Sequence, residues 1–347
     1  MDRLTAAATL LRDASRTSIA ATAQTLRTIL IRPAAACASP WHLQVEIITA
    51  CNLGCVMCPR TVALERDPAF APEWHRRMPL ERFMKLLDEF PGLQSLSLHG
   101  IGEPLMHPGI FDMIAAAVRR GVMVRFTTNA TLLDRMRSHR LIAAGLHRLI
   151  VSIDGATAPT YEAIRPGAKF DRVVDNVRFL AASRRGSGPR IDISMVVQRN
   201  NAHEAPALVA LAHEIGADGV ILSPMIPPVN VLAAIACDRA SWNRAVDDSR
   251  HKARELGIAF FAREGRPVAD AAPKATHRCM HPWFSAVVTM EGSVMPCCNI
   301  HDSAFGMGNA FDDGFADVWN GERYRAFRRS IKQRGSVPEA CRKCPEF

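Results

Sequence analysis

The run LQVEIITACNLGCVMCPR, residues 43–60, decides the reading of this chain. Leu43–Ile48 is apolar and β-rich enough to predict a strand. Directly after it, Cys51, Cys55 and Cys58 crowd onto one loop. Such spacing points to metal. Zinc would want four closed ligands, and the nearest further Cys or His, His75, follows a long polar stretch. A cubic iron–sulfur cluster offers four iron corners, so a tight trio holds three and leaves one open for a cofactor. A zinc site or a few buried thiols are the plainer alternatives.

Working outward, β-rich runs alternate with helix-period segments. Leu43–Ile48, Leu93–Leu98, Val122–Thr127, Leu149–Ile153, Ile191–Val197 and Val220–Leu222 are the expected strands. Residues 80–90, with Leu80, Phe83, Met84, Leu87 and Phe90, and residues 110–120, with Ile110, Met113, Ile114, Ala117 and Val118, each predict a helix burying one stripe. Pro79 and Pro108-Gly109 fit the helix openings. Six β-then-α units require a parallel sheet covered by helices. The fold class expected is therefore α/β, a partial (β/α)6 TIM barrel with a small C-terminal cysteine-rich domain. Barrel chemistry sits at the C-terminal ends of strands, where the trio lies. The expected organisation is an N-terminal helical extension (1–40), the barrel (41–262), a linker (263–278) and the cysteine-rich tail (279–347).

At 347 residues and 48% hydrophobic, the chain is long enough for one large domain and a small one. The net charge of +9 gathers at the ends, with five Arg against two Asp in residues 1–40 and eight Lys and Arg against three Glu in residues 321–347. Nothing resembling an RNA or DNA module accompanies that charge, so no nucleic acid partner is expected. The N-terminal helix reads as a cap on the main domain, with membrane-surface contact the alternative. No stretch has the ~18 apolar residues of a membrane span, and Arg12, Asp13 and Arg16 interrupt any secretory apolar core. Seven of the ten cysteines fall into two spaced groups, which favours metal over disulfides and a reducing cytoplasm.

Other strand ends carry polar groups. After the second strand comes His99-Gly100-Ile101-Gly102-Glu103-Pro104. Pro104 biases Glu103 towards an extended conformation, Gly102 permits close approach, and Glu103 offers a carboxylate to an ammonium group. The third strand is followed by Thr128-Asn129-Ala130-Thr131, and the fourth by Ser152-Ile153-Asp154-Gly155, then Tyr161 and Arg165. Helix capping is the bland reading for such residues. His99, Arg125, Asp192, Gln198 and Ser223 also face the barrel on the expected pattern, and none stands out as a general base.

The C-x3-C-x2-C trio with Asn52, Met57, Pro59 and Arg60, followed one unit later by Gly102-Glu103-Pro104, resembles the radical S-adenosylmethionine superfamily. The resemblance implies a 4Fe-4S cluster on Cys51, Cys55 and Cys58, with S-adenosyl-L-methionine on the open iron. It places the methionine amino group at Gly102, Glu103 and Pro104, the ribose or carboxylate side at Ser152, and the methionine carboxylate at Arg165, with Asn129 and Asp154 as further contacts. The tail, with Cys279, Gly292 and Cys297 in a C-x(9–15)-G-x4-C pattern and a closing Cys341-x2-Cys344, is similar to the SPASM or shorter twitch domain. That similarity implies one auxiliary 4Fe-4S cluster on Cys279, Cys297, Cys341 and Cys344. Cys298 competes with Cys297, a zinc ribbon is the alternative for the tail, and Cys37 and Cys237 read as buried thiols.

The implied chemistry is reductive cleavage of S-adenosylmethionine to a 5′-deoxyadenosyl radical and hydrogen abstraction from a small-molecule or peptide substrate, fed by a flavodoxin- or ferredoxin-type electron donor. A fully ligated second cluster suits electron acceptance, so a net two-electron oxidation of a sugar, aminocyclitol or other small metabolite leads, as in the twitch-type aminocyclitol dehydrogenase. Peptide crosslinking or epimerisation is the rival, and residues 1–40 are short for a winged-helix peptide-recognition domain. A non-catalytic electron carrier would need no Glu103, Ser152 and Arg165. The stretch Thr61 to Arg77, with Trp74 and His75, reads equally as a lid or a surface insertion.

Overall fold

The computed structural model describes residues 27–28, 31–36, 39–66, 76–184, 186, 188–225, 235–263, 279–298, 305–333, 336–338 and 341. Most of the N-terminal extension, residues 67–75, all of the expected linker 263–278 except Arg263, Cys37 and Cys344 lie outside the described residues.

The six expected strands are β1 (His42–Val45), β2 (Ser95–Ser97), β3 (Met123–Thr128), β4 (Arg148–Ser152), β5 (Arg190–Val197) and β6 (Gly219–Pro224). They lie side by side in chain order, every neighbouring pair parallel. Helices cross over between them: α1 (Pro59–Arg66), α2 (Leu80–Asp88), α3 (Ile110–Arg119), α4 (Arg135–Ala143), α5 (Ala158–Ile164), α6 (Phe170–Ser183) and α7 (Ala205–Glu214). The expected stripes are buried through Phe83 and Leu87 on α2 and Ile110, Met113, Ile114 and Ala117 on α3, whereas Leu80 stays exposed at the first position of its helix. This is the mixed α/β partial barrel that the sequence pattern predicts.

Two strands extend the sheet beyond that pattern. Helix α8 (Arg239–Leu256) ends at Gly257, whose φ of 67° is the left-handed turn glycine favours, and β7 (Ala259–Ala262) follows parallel to β6. Arg263 continues that ladder, its N–H bonding to Leu222 O at 2.8 Å, so it belongs to the strand end rather than to a linker. At the other edge β8 (Ser285–Val288) pairs in parallel with β1, after the short α9 (His281–Phe284), and β9 (Val294–Met295) returns antiparallel beside it.

The tail thus shares the barrel's sheet and its core. Trp41 stacks on Phe284 at 5.0 Å between ring centroids, Phe90 meets Phe315 at 4.5 Å, and Glu89 accepts from Phe315 N–H at 2.6 Å. After a π-helical turn, α10 (Phe315–Trp319) and α11 (Glu322–Lys332) close the tail. Arg328 of α11 is fully buried, 4.4 Å from the Trp319 ring and 4.3 Å from the Tyr324 ring. It donates to Pro282 O and to Ala34 O, and Trp283 Nε1 donates to Pro33 O at 2.6 Å. Residues 31–36 therefore cap the tail, buried cations and an indole satisfying carbonyls that water cannot reach. Among the described residues no helix is long and apolar enough to cross a membrane.

Candidate functional site

The loop after β1 folds back on the connection between α5 and α6. Cys58 N–H bonds Cys55 O at 3.0 Å, Val56 N–H bonds Ile164 O at 3.1 Å, and Gly54 N–H bonds Pro166 O at 3.3 Å. All three cysteines are free thiols lining one cavity of about 380 Å³ at the C-terminal ends of the strands, within the range of small-ligand sites. Among the described residues no three His, Cys, Asp or Glu side chains converge as ligands of a single ion would. The trio instead rings part of the cavity wall, which suits a larger body held at several corners. Burial pushes the Cys51 thiol up, and the Cys55 thiol up to about 11 against the pull of Arg165. Binding metal there therefore releases protons, as thiolate ligation requires.

Glu103 shares that cavity, buried at the end of β2. Pro104 opens a short 3-10 turn, and Glu103 before it is extended with φ −94° and ψ 111°, as a residue before proline should be. Its carboxylate accepts from Leu105 N–H at 3.0 Å, Thr128 Oγ1 at 2.7 Å and Asn129 N–H at 2.8 Å. Burial pushes its acidity constant up while those three donors pull it back. Two carboxylate oxygens accept about four bonds, so one acceptor position is left. Gly102 is needed for the chain's own packing: an added Cβ would stand 2.4 Å from Ile48 O and 2.6 Å from Ala50 O. The close approach there is by backbone.

Asn129 bridges the two groups. Its amide donates to Asn52 Oδ1 at 3.0 Å and reaches Cys51 Sγ at 3.9 Å, while Asn52 donates to Thr131 at 2.8 Å. Ala130 beside it holds φ 55°, a left-handed conformation unusual for alanine, stabilised by Asn176 donating to its carbonyl at 2.9 Å. Ser152 and Arg165 also line the cavity. Arg165 reaches Cys55 Sγ at 3.7 Å and donates to Asp154 Oδ2 from Nε at 2.7 Å and Nη2 at 2.6 Å. Burial works against its charge, but Asp154 and Cys55 raise its basicity overall. Asp154 is fully buried, accepts from Val196 N–H at 2.7 Å, and lies behind the wall rather than on it. Pro104 likewise stays off the wall.

His99, Ser223 and Arg263 complete the cavity. Asp192 does not reach it: Arg148 and Arg190 hold that carboxylate elsewhere in the barrel. Gln198 is buried away from it, and Arg125 donates to Ser97 at 2.8 Å and approaches His42 at 3.4 Å. Sequence reasoning missed Arg263 because the strand before it went unread. Of the expected lid, residues 61–66 belong to α1, while Arg77 bridges to Ile48; Trp74 and His75 lie outside the described residues.

In the tail, Cys341 is buried and Cys279, Cys297 and Cys298 are half-buried. Gly292 forms the β8–β9 turn with φ 95°, where a Cβ would meet Asn309 Oδ1 at 2.3 Å and Phe311 at 2.4 Å. That turn accounts for the glycine in the tail's spacing pattern. Buried Cys237 approaches Val197 O at 3.9 Å and is not part of the cavity wall.

Residues 45–212 match the radical SAM superfamily, and residues 279–345 match SPASM, an iron–sulfur cluster-binding domain. The mycofactocin maturase MftC of Mycobacterium tuberculosis is 30% identical over 299 residues, spanning 84% of this chain and 73% of MftC. This chain belongs to the radical SAM superfamily. It is a radical SAM enzyme of the SPASM type, a class that uses a main and an auxiliary 4Fe-4S cluster with S-adenosylmethionine, and the free trio beside Glu103 fits that set. The tungsten-containing aldehyde ferredoxin oxidoreductase cofactor-modifying protein of Pyrococcus furiosus is 25% identical over 318 residues, 83% of each chain. Among solved structures, Streptococcus suis SuiB, seen bound to S-adenosylmethionine and to its precursor peptide SuiA, shares the fold with TM-score 0.67 at 16% identity, over 87% of this chain and 77% of SuiB.

Proposed function

We propose that this radical SAM enzyme carries out a net two-electron oxidation of a substrate held in the cavity, with the tail cluster as electron acceptor. The single observation behind it is that Cys51, Cys55, Cys58, Glu103, Ser152 and Arg165 line one cavity. Bound there, the cluster and S-adenosylmethionine supply a 5′-deoxyadenosyl radical able to take an unactivated hydrogen. The chain's own residues do the holding. Glu103 offers its remaining acceptor position to the methionine ammonium, Arg165 turns its fork to the carboxylate, and Ser152 meets the ribose or carboxylate side. Gly102 sets the approach of that strand end, Pro104 fixes the extended Glu103, Asp154 orients Arg165, and Asn129 braces Cys51 against Asn52.

Cys279, Cys297, Cys341 and Cys344 are the proposed auxiliary ligands. The division into an extension (1–40), barrel (41–262), linker (263–278) and tail (279–347) goes with this reading, with Arg263 moved from the linker to the end of the barrel's last strand, as do a cytoplasmic setting and a flavodoxin- or ferredoxin-type donor. Candidate substrates are a sugar, an aminocyclitol or another small metabolite. A second reading, peptide maturation, is favoured by two of the proteins this chain is similar to, the maturase MftC and the precursor-peptide binder SuiB.

Anaerobic reconstitution tests the core of this reading. Iron should reach ~8 per chain and fall to ~4 in either Cys51→Ala or Cys341→Ala. With dithionite and S-adenosylmethionine the wild type should release 5′-deoxyadenosine and Cys51→Ala should not. Four irons in the wild type with zinc in the tail would remove the electron acceptor.

A further inference from the structure

We infer that the cavity carries a carboxylate subsite, formed by Arg263 and His99, which selects a substrate bearing a free carboxylate. The inference deepens the proposed function and rests on its placing of substrate in this cavity. His99 stands at the end of β2 and Arg263 at the end of β7, with four strands between them in the sheet. The curvature of the barrel nevertheless brings both onto one cavity wall, close enough for the Arg263 charge to act on the His99 ring.

Charge decides what this part of the wall can receive. Glu103, which accepts three hydrogen bonds, and Arg165, paired with Asp154, are assigned to the cofactor in the proposed function, so neither is counted here as a receiver of substrate. Arg263 is exposed and lines the cavity, and among the described residues no carboxylate is bonded to it. His99 lines the cavity while its Nδ1 is buried without a hydrogen-bond partner, so no protein group fixes the ring's tautomer from that side. Burial, then Arg125 and Arg263, bring the ring down to about 4, so at neutral pH it is an uncharged imidazole with one N–H to donate. A planar guanidinium fork beside a single neutral N–H matches one carboxylate. A phosphate dianion would call for more positive charge, and a protonated amino sugar would be repelled by Arg263. Ser223, on the neighbouring strand β6, offers a hydroxyl at the same wall.

The test is chemical labelling of the reconstituted enzyme. Arginines are modified anaerobically with phenylglyoxal and counted by peptide mass spectrometry, with glutarate as the probe and dimethyl glutarate, sodium chloride at matched ionic strength and inorganic phosphate as controls. Saturating glutarate should slow labelling of Arg263 about tenfold, and leave the exposed Arg244 of α8 unchanged. Neither the ester nor chloride should protect. His99→Leu should lose most of the protection, and His99→Gln, which keeps an N–H donor, should retain it. Equal protection by phosphate or chloride, no protection by glutarate, or full protection in His99→Leu would each overturn the carboxylate subsite. The same preparations are assayed for 5′-deoxyadenosine with dithionite. Its absence in the wild type would defeat the functional reading on its own terms, whatever the labelling shows.

Discussion

Asp154→Asn isolates the residue that holds Arg165 without touching the cavity wall. The carboxylate is fully buried and takes two N–H groups of Arg165 on one oxygen and Val196 N–H on the other. An amide can present only one acceptor oxygen. If it faces Arg165, its NH2 opposes Val196 N–H; if it faces Val196, the guanidinium meets a second donor. Either way a buried cation loses its counter-charge, which costs roughly 3–5 kcal/mol. At a few degrees per kcal/mol, the thermal midpoint of the reconstituted enzyme should fall by roughly 5–10 °C. The paired change Asp154→Leu with Arg165→Met removes both charges, and replacing a buried ion pair by apolar groups is often close to neutral. The double variant should therefore recover most of the midpoint while binding S-adenosylmethionine worse than wild type. Scanning calorimetry and equilibrium dialysis with labelled cofactor read the two effects separately. A midpoint within about 2 °C of wild type for Asp154→Asn, with unchanged cofactor binding, would refute the argument that Asp154 positions Arg165.

Three further outcomes follow from other contacts. Gly102→Ala places a Cβ within 2.6 Å of two carbonyl oxygens of the β1 exit, so it should cost roughly 1–3 kcal/mol and impair cluster retention; a variant with wild-type midpoint and iron content would count against the packing argument. His99 has a folded-state value near 4, below its unfolded one, so the unfolded chain binds the extra proton between about pH 6.5 and 4. Stability from this group is complete above that window and falls as pH drops through it, by up to about 1.4 kcal/mol per unit; calorimetry against pH should show a shallower slope in His99→Gln. Arg328→Met leaves Pro282 O and Ala34 O without their donor. Limited proteolysis should then cut within the first 40 residues faster, with a loss of about 2–4 kcal/mol.

What could be read in advance follows from how locally each feature is encoded. The six central strands are legible because each apolar run is bounded by turn residues and followed by a 3.6-period segment. Strand β7 escaped because Ala259–Ala262 sits at a sheet edge with Phe261 57% exposed, so no buried alternation marks it. The pairing of β8 with β1 is a contact across more than 200 positions and leaves no local trace. The trio is legible because ligand spacing is itself the chemistry. The partners of Glu103 are less so: one donor lies two residues on, but Thr128 and Asn129 lie 25 and 26 away. The role of Asp154 also depends on which way the strand end turns it, inward to Arg165 rather than onto the cavity.

The placing of the tail's cysteines bears on where an electron would go. β1 runs towards the trio, and β8 runs parallel to it, so the start of β8 lies at the opposite end of the sheet from Cys51. Cys279 precedes that start, and Cys297 follows β9, which returns antiparallel to the same end. Cys279 and Cys297 are therefore placed by the topology at the end of the sheet opposite the substrate cavity. A four-residue strand spans about 13 Å, so the two groups are set apart by a strand pair of fixed length. The register of β8 on β1, from His42 against Ser285 to Val45 against Val288, holds that separation rigid. Between the ends lie His42, Ser95, Ser97 and Arg125, joined by hydrogen bonds. Burial, with Arg125 next, keeps His42 uncharged well below its ordinary range. On the proposed reading, an electron leaving the substrate would pass through this part of the barrel to reach the tail. Loss of the β8 pairing should uncouple the two sites before either loses its own ligands. Val287→Pro, which removes a ladder N–H at the middle of β8, should leave 5′-deoxyadenosine formation intact and slow electron transfer to the tail cluster, read by rapid-freeze spectroscopy. Unchanged transfer in that variant would show that the sheet edge does not set the distance.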